Sequence, residues 1–206
     1  MGRVRGKGWM QEHVADAYVR RARAEGMRSR ASYKLEQIAT RDRLLAPGML
    51  VVDLGAAPGG WSQVAAQRIA PGGRVIALDV LDMPALPRVT VIRGDFRDAE
   101  AVAELTRALA GRQADLVLSD MAPNLSGIAA TDQARALELA QLALDFSENH
   151  LKPQGNFLVK VFQGAGFDEF IKALRRQFRT VAVRKPEASR SRSREVFVVA
   201  KELRQA

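Results

Sequence analysis

The feature that most constrains this chain is a regular alternation of short apolar runs with helical stretches, beginning at residue 49 and continuing to residue 200. Residues 49–54 are apolar and rich in β-branched side chains, and Pro47-Gly48 and Gly55 bound them, which is how a buried strand reads. Residues 61–69 read as a helix stopped by Pro71-Gly72-Gly73, and residues 74–79 and 88–93 as two further strands. A helix over 98–110 carries Val102, Leu105 and Leu109 on one face and ends at Gly111. Residues 115–119 form a fourth strand, 131–150 a long helix, and 156–161 a fifth strand after the turn Pro153-Gln154-Gly155. An amphipathic stretch over 167–178 leads to two strands, 180–184 and 194–200, paired antiparallel. This pattern predicts an α/β fold: a seven-stranded, mostly parallel, Rossmann-like sheet with helices on both faces and right-handed crossovers. Upstream, residues 10–25 and 29–40 read as two short helices, with Gly26 as the break and Ser29 as the cap. The expected organisation is a disordered basic start (1–8), a helical extension (9–46) and the sheet domain (47–206).

Ligands of such sheets bind beyond the carboxyl ends of the strands, so polar residues there carry the most information. The first strand runs into Asp53-Leu54-Gly55-Ala56-Ala57-Pro58-Gly59-Gly60-Trp61. Glycines let the backbone approach a ligand, and the helix that follows aims free N–H groups at it. The dinucleotide fingerprint has a glycine where Ala57 stands, and that glycine admits a pyrophosphate, so Ala57 argues against a nicotinamide cofactor. S-adenosylmethionine, which has no phosphate, suits the turn better. Asp79 ends the second strand, where an acid accepts ribose hydroxyls, and Asp95 after the third strand is placed to accept from an adenine amino group beside Phe96. Each acid alone is also what a helix cap or surface carboxylate looks like; three successive strand ends with suitable groups are harder to dismiss. Asp120 follows the fourth strand, and Lys160 sits inside the apolar run of the fifth, where an ammonium is costly without a polar site or partner. Lys34 in the second helix and Glu195 at the start of the last strand complete a set that can converge at one sheet edge.

Charge adds a partner class. The chain carries 32 Lys+Arg against 23 Asp+Glu over 206 residues, a net +9. The excess is concentrated in residues 1–34 and 175–194, where arginine dominates, as where planar forks meet phosphates. Two clusters flanking a near-neutral centre favour a nucleic-acid surface over two solvated faces, provided the fold brings them together. The absence of cysteine excludes disulfides, thiolate catalysis and cysteine-ligated metals, and with only His13 and His150 a histidine-rich metal site is excluded too. No apolar run approaches the ~18 residues of a membrane span, and the first thirty residues lack a signal-peptide core, so the expected location is the cytoplasm, with no membrane contact.

Five motifs stand in order: Ser29-Arg30-Ala31-Ser32-Tyr33-Lys34-Leu35, the 53–63 turn, Ser119-Asp120-Met121-Ala122-Pro123-Asn124, Val159-Lys160-Val161-Phe162-Gln163-Gly164, and Ser193-Arg194-Glu195-Val196. With them the chain closely resembles the FtsJ/RrmJ (RlmE) family of ribosomal RNA 2'-O-methyltransferases, from about residue 9 to 200; residues 81–87 match least well. The resemblance implies a class I S-adenosylmethionine-dependent methyltransferase fold. It also implies a catalytic Lys34–Asp120–Lys160–Glu195 tetrad and donor contacts at Gly59, Trp61, Asp79, Asp95 and Asp120. Its implied substrate is a uridine ribose in the A loop of 23S ribosomal RNA within the 50S subunit, modified by a monomer that needs no metal. In this chemistry Lys160 is the expected base, which requires desolvation and a neighbouring cation, Lys34, while Asp120 and Glu195 orient it. Two other readings compete: a non-catalytic RNA-binding or ribosome-assembly factor, which need not keep all four polar residues, and a 2'-O-methyltransferase of transfer RNA.

Overall fold

The computed structural model describes residues 17–124, 126–190 and 193–204. The expected disordered start and the first turns of the first helix fall outside them. Thirteen elements follow in chain order: α1 (Ala17–Ala24), α2 (Ala31–Asp42), β1 (Leu50–Leu54), α3 (Gly60–Arg68), β2 (Arg74–Asp79), β3 (Val89–Arg93), α4 (Ala99–Ala108), β4 (Ala114–Ser119), α5 (Ala129–His150), β5 (Leu151–Phe162), α6 (Phe167–Gln177), β6 (Phe178–Arg184) and β7 (Glu195–Leu203). The strands form one sheet in the order β3-β2-β1-β4-β5-β7-β6. All neighbours are parallel except β7, which runs antiparallel to both β5 and β6. The predicted Rossmann-like sheet is therefore present, with the expected antiparallel pair at one edge.

Strand side chains alternate between faces, and the sequence obeys that period. Leu50, Val52 and Leu54 of β1 pack with Leu105 of α4, Leu144 of α5 and Leu174 of α6. Val51 points the other way, into a second core built with Leu35 and Ile38 of α2 and Trp61 and Val64 of α3. Leu116 and Leu118 of β4, Leu158 of β5 and Phe197 of β7 join this second core. Burying a side chain such as Leu35 completely contributes about 1.5–3 kcal/mol, so α2 is an integral layer of the fold.

Three local expectations differ. β5 starts at Leu151 rather than 156: Leu151 pairs with Ala114, and the register then shifts so that Asn156 meets Leu116. Pro153-Gln154-Gly155 is thus an irregularity within a strand, with Gln154 at φ 63°. β7 runs on to Leu203 because β6 offers it a partner that far, Phe178 opposite Leu203. Ser29 does not cap α2: Arg30 holds the N-cap position without a side-chain bond, and the Ser29 hydroxyl is buried with no hydrogen-bond partner. The Ser29 side chain is packed instead against Gly60, where an added Cβ would lie 2.2 Å from its Oγ.

Candidate active site

The sheet reverses its winding between β1 and β4, which have β2 and β5 as their other neighbours, and a crevice opens at such a switch point. There the apolar pattern on the α2/α3 face turns polar. Val51, Leu118, Leu158 and Phe197 face that side. By strand period the residues two positions along, Asp53, Asp120, Lys160 and Glu195, share it. Lys160 pairs in register with Phe197, so Glu195 is its diagonal neighbour across the β5–β7 ladder. From above, α2 extends Lys34, whose Nζ lies 5.4 Å from the centre of the Phe197 ring.

The four polar residues meet as two ion pairs. Lys34 Nζ donates to Glu195 Oε1 at 2.6 Å, with side-chain exposures of 13% and 14%. Lys160 Nζ donates to the Asp120 carbonyl at 2.6 Å and lies 3.0 Å from Asp120 Oδ1, its own side chain only 8% exposed. That second approach is off the hydrogen-bonding direction, so Asp120 Oδ1 is buried without a directional partner. Burial pushes the Glu195 carboxyl up, but the charge and hydrogen bond of Lys34, the charge of Lys160 and the Ser189 hydroxyl outweigh it and hold the carboxyl below its ordinary value. Glu195 therefore senses both ammonium groups, which ties the two pairs into one cluster.

Hollows open on either side of this cluster. A cleft of about 760 Å³ is lined by Gly55, Ala57, Asp79, Asp95, Asp120 and Met121, among others. A smaller hollow of about 230 Å³ is lined by Arg30, Lys34, Arg190, Ser193 and Glu195. Asp120 thus faces the first, and Lys34 and Glu195 face the second. The smaller hollow joins the two basic clusters of the sequence, because residues 186–190 fold back onto α2: Ala188 N–H donates to Gln37 Oε1 at 3.2 Å and Arg30 Nη2 donates to the Ala188 carbonyl.

In the larger cleft Asp79 Oδ2 accepts the Ala57 N–H at 2.9 Å and Oδ1 accepts the Leu81 N–H at 2.8 Å. Each oxygen keeps one lone pair for a ligand hydroxyl. Asp95 is gripped by the Arg97 guanidinium and backbone N–H, which pull its carboxyl down to about 2. Gly55, at φ 76°, makes the tight turn: a Cβ there would meet Met121 backbone at 2.8 Å. Gly59 and Trp61, two of the expected donor contacts, are not among the residues that line this cleft. Trp61 is buried, its indole N–H donating to the Ala31 carbonyl at 2.9 Å and its ring tilted on Phe197, so only its backbone remains for a ligand.

Sequence reasoning misses Asp53. It is fully buried, accepts the Ser62 hydroxyl at 2.6 Å on Oδ2, and has no partner on Oδ1. Burial, with smaller additions from Asp120 and Asp79 and opposed by Ser62, pushes its carboxyl up to about 7. The signal that could have found it is an aspartate within an otherwise apolar five-residue strand.

The strand order with its single inverted strand, the crevice at the winding switch and the lysine–carboxylate cluster beside it define a Rossmann-like methyltransferase. The sequence profile of the FtsJ-like methyltransferases matches residues 27–203. A "Ribosomal RNA large subunit methyltransferase E" from Azoarcus sp. (strain BH72) is 60% identical over 96% of this chain and 97% of its own. The protein of that name from Methylobacillus flagellatus is 56% identical over 97% of both. Among solved structures, a Plasmodium falciparum protein described as a ribosomal RNA methyltransferase superposes with a TM-score of 0.79 at 26% identity, over 87% of this chain and 100% of its own. This chain belongs to the FtsJ-like methyltransferase family.

Proposed function

We propose that the protein methylates the 2'-hydroxyl of a uridine ribose in the A loop of 23S ribosomal RNA, on the 50S subunit, with S-adenosylmethionine as donor. The observation that carries this reading is the cluster of Lys34, Asp120, Lys160 and Glu195 between a donor-sized cleft and a basic hollow. The larger cleft fits the donor: it falls within the volume range of small-molecule sites, and Asp79 keeps acceptor positions for the ribose diol. Asp95 takes the adenine amino group on its remaining lone pair; Gly59, whose N–H donates to the Ala56 carbonyl at 2.7 Å, shapes the turn beside the cleft, and Trp61 follows it. When bound, S-adenosylmethionine supplies a methyl group already activated on a positively charged sulfur.

The chain's own residues have two tasks, alignment and a proton. Arg30, in the segment 9–46 that acts as the RNA-facing extension, and Arg190, in the loop that precedes β7, receive the RNA phosphates at the smaller hollow. Lys34 and Glu195 hold the ribose. Lys160 Nζ, held beside the Asp120 carbonyl, first releases one ammonium proton to solvent; the resulting amine orients the 2'-hydroxyl and accepts its proton as the oxygen gains the methyl group. Asp120 reaches from the donor cleft to Lys160, so it keeps the two hollows in register. No described helix is long and apolar enough to cross a membrane, and the proposed form is a cytoplasmic monomer needing no metal.

The test is to incubate 50S particles lacking the modification with labelled donor and map the product by mass spectrometry. Label on a single A-loop ribose supports the reading. Label on transfer RNA instead, or tight particle binding without methyl transfer, contradicts it.

A further inference from the structure

Arg28 belongs by sequence to the basic N-terminal cluster and is expected to meet RNA phosphates. Its guanidinium is turned inward. Nη1 donates to the Pro84 carbonyl at 2.7 Å and the Pro58 carbonyl at 3.3 Å, and Nη2 donates to the Ala85 carbonyl at 2.8 Å. The backbone is fixed too: Arg28 N–H donates to Gln63 Oε1 at 3.0 Å, while Gln63 Nε2 donates back to the Gly26 carbonyl at 3.0 Å. Gly59 makes room for this arrangement, since a Cβ there would lie 2.7 Å from Arg28 Nη1 and 2.8 Å from Met83 Sδ.

The carbonyls that Arg28 bridges are neighbours of the two amides that hold Asp79. Ala57, which donates to Asp79 Oδ2, precedes Pro58; Leu81, which donates to Oδ1, lies three residues before Pro84. Apart from an exposed ion pair of Asp82 with Arg93 at 3.1 Å, the 81–87 segment has little else to fix it: Leu81 is 64% exposed and only Met83 is buried, against Ala56 and Ala77. A planar fork reaches three carbonyls on two segments at once, which an ammonium on a flexible stem does not reproduce.

From this geometry we infer that Arg28 is a positioning residue for the methyl donor, clamping the 57–58 turn to the 84–85 loop so that the Asp79 carboxylate is held ready for the donor's ribose. The inference rests on the assignment of the larger cleft to the donor. It also makes residues 26–34 a physical link between the cofactor turn and the basic hollow, because Arg28 grips the first and Arg30 and Lys34 line the second.

The experiment titrates S-adenosylmethionine by calorimetry into the wild-type chain and the Arg28→Ala, Arg28→Lys and Asp79→Ala variants. The salt dependence of binding to an RNA hairpin is measured in parallel. Loss of the clamp weakens donor affinity about ten-fold in both Arg28 variants, since the lysine keeps the charge but not the fork. Donor KM rises while kcat at saturating donor stays near wild type. The RNA salt slope stays unchanged. Should Arg28→Ala not fold, Arg28→Lys carries the same reading. Unchanged donor affinity in the Arg28 variants with weakened affinity in Asp79→Ala overturns the inference alone. Donor affinity unchanged in Asp79→Ala as well overturns the cleft assignment, and the inference with it. A salt slope that falls by about 0.7–0.9 in Arg28→Ala and returns in Arg28→Lys would make Arg28 a phosphate ligand instead.

Discussion

Replacing Asp53 by asparagine isolates the buried carboxyl at the end of β1. In the folded chain this group keeps its proton up to about pH 7, whereas in the unfolded chain it releases it near the ordinary aspartate value of about 3.9. Between those values the folded state binds the extra proton. The group's contribution to stability is therefore greatest at low pH and is lost as pH rises toward 7. From pH 5 to pH 8 the folded chain passes through about two pH units of this window, worth about 3 kcal/mol at ~1.4 kcal/mol per unit. Asparagine cannot ionise, and its carbonyl still accepts the Ser62 hydroxyl in place of Oδ2. Urea unfolding of both proteins at pH 5, 6, 7 and 8 reads the effect as a difference of differences. Other carboxylates, among them Glu195 and Asp95, titrate alike in both proteins and cancel. The variant is expected to gain on the wild type by about 3 kcal/mol between the two ends of the range. A stability difference constant to within about 0.5 kcal/mol would show that Asp53 is ionised throughout and refute the reasoning.

Asp79→Ala removes the proposed ribose acceptor and should weaken S-adenosylmethionine binding at least about ten-fold by calorimetry, because on that assignment the ribose hydroxyls no longer have a charged acceptor. Trp61→Phe should leave donor affinity within about two-fold, since the indole lies behind the cleft, yet lower stability by about 1 kcal/mol through loss of its bond to Ala31; urea unfolding reads it. Arg30→Ala should reduce affinity for an RNA hairpin and flatten its log–log salt dependence by about 0.7–0.9 for each phosphate the variant no longer neutralises, as filter binding at several salt concentrations will measure. Gly55→Ala should abolish donor binding, because a Cβ at φ 76° meets Met121 backbone at 2.8 Å.

The order and type of the sheet elements are legible in the sequence because β1, β2 and β4 are short, apolar and bounded by glycine or proline, and the helices between them keep a clear period. Lys160 is legible for a related reason, as an ammonium inside an apolar run, whereas Lys34 on a helix and Asp120 and Glu195 at strand ends are singled out as its partners by the family resemblance. What the letters hide is the use of individual donors. Arg28 and Arg30 differ by two positions and look alike, yet one grips three backbone carbonyls beside the cofactor turn and the other lines the basic hollow. Gly59-Gly60 reads as a turn open to a ligand, whereas its missing side chains also make room for Arg28, Ser29 and Ser32 on the far side. Trp61 reads as a donor residue of that turn, but its indole completes the core against Phe197. Lys34 reads as the cation that tunes Lys160, with Glu195 assigned to orient Lys160; in the fold Glu195, 161 residues away along the chain, pairs with Lys34 itself.

The most direct test of the lysine–carboxylate cluster as the seat of chemistry is single-turnover methyl transfer to unmodified 50S particles by wild type and Lys160→Ala, both saturated with donor. Loss of the proton acceptor should slow transfer by roughly 10²–10⁴-fold while donor affinity stays near wild type. A transfer rate within a few-fold of wild type would contradict the account.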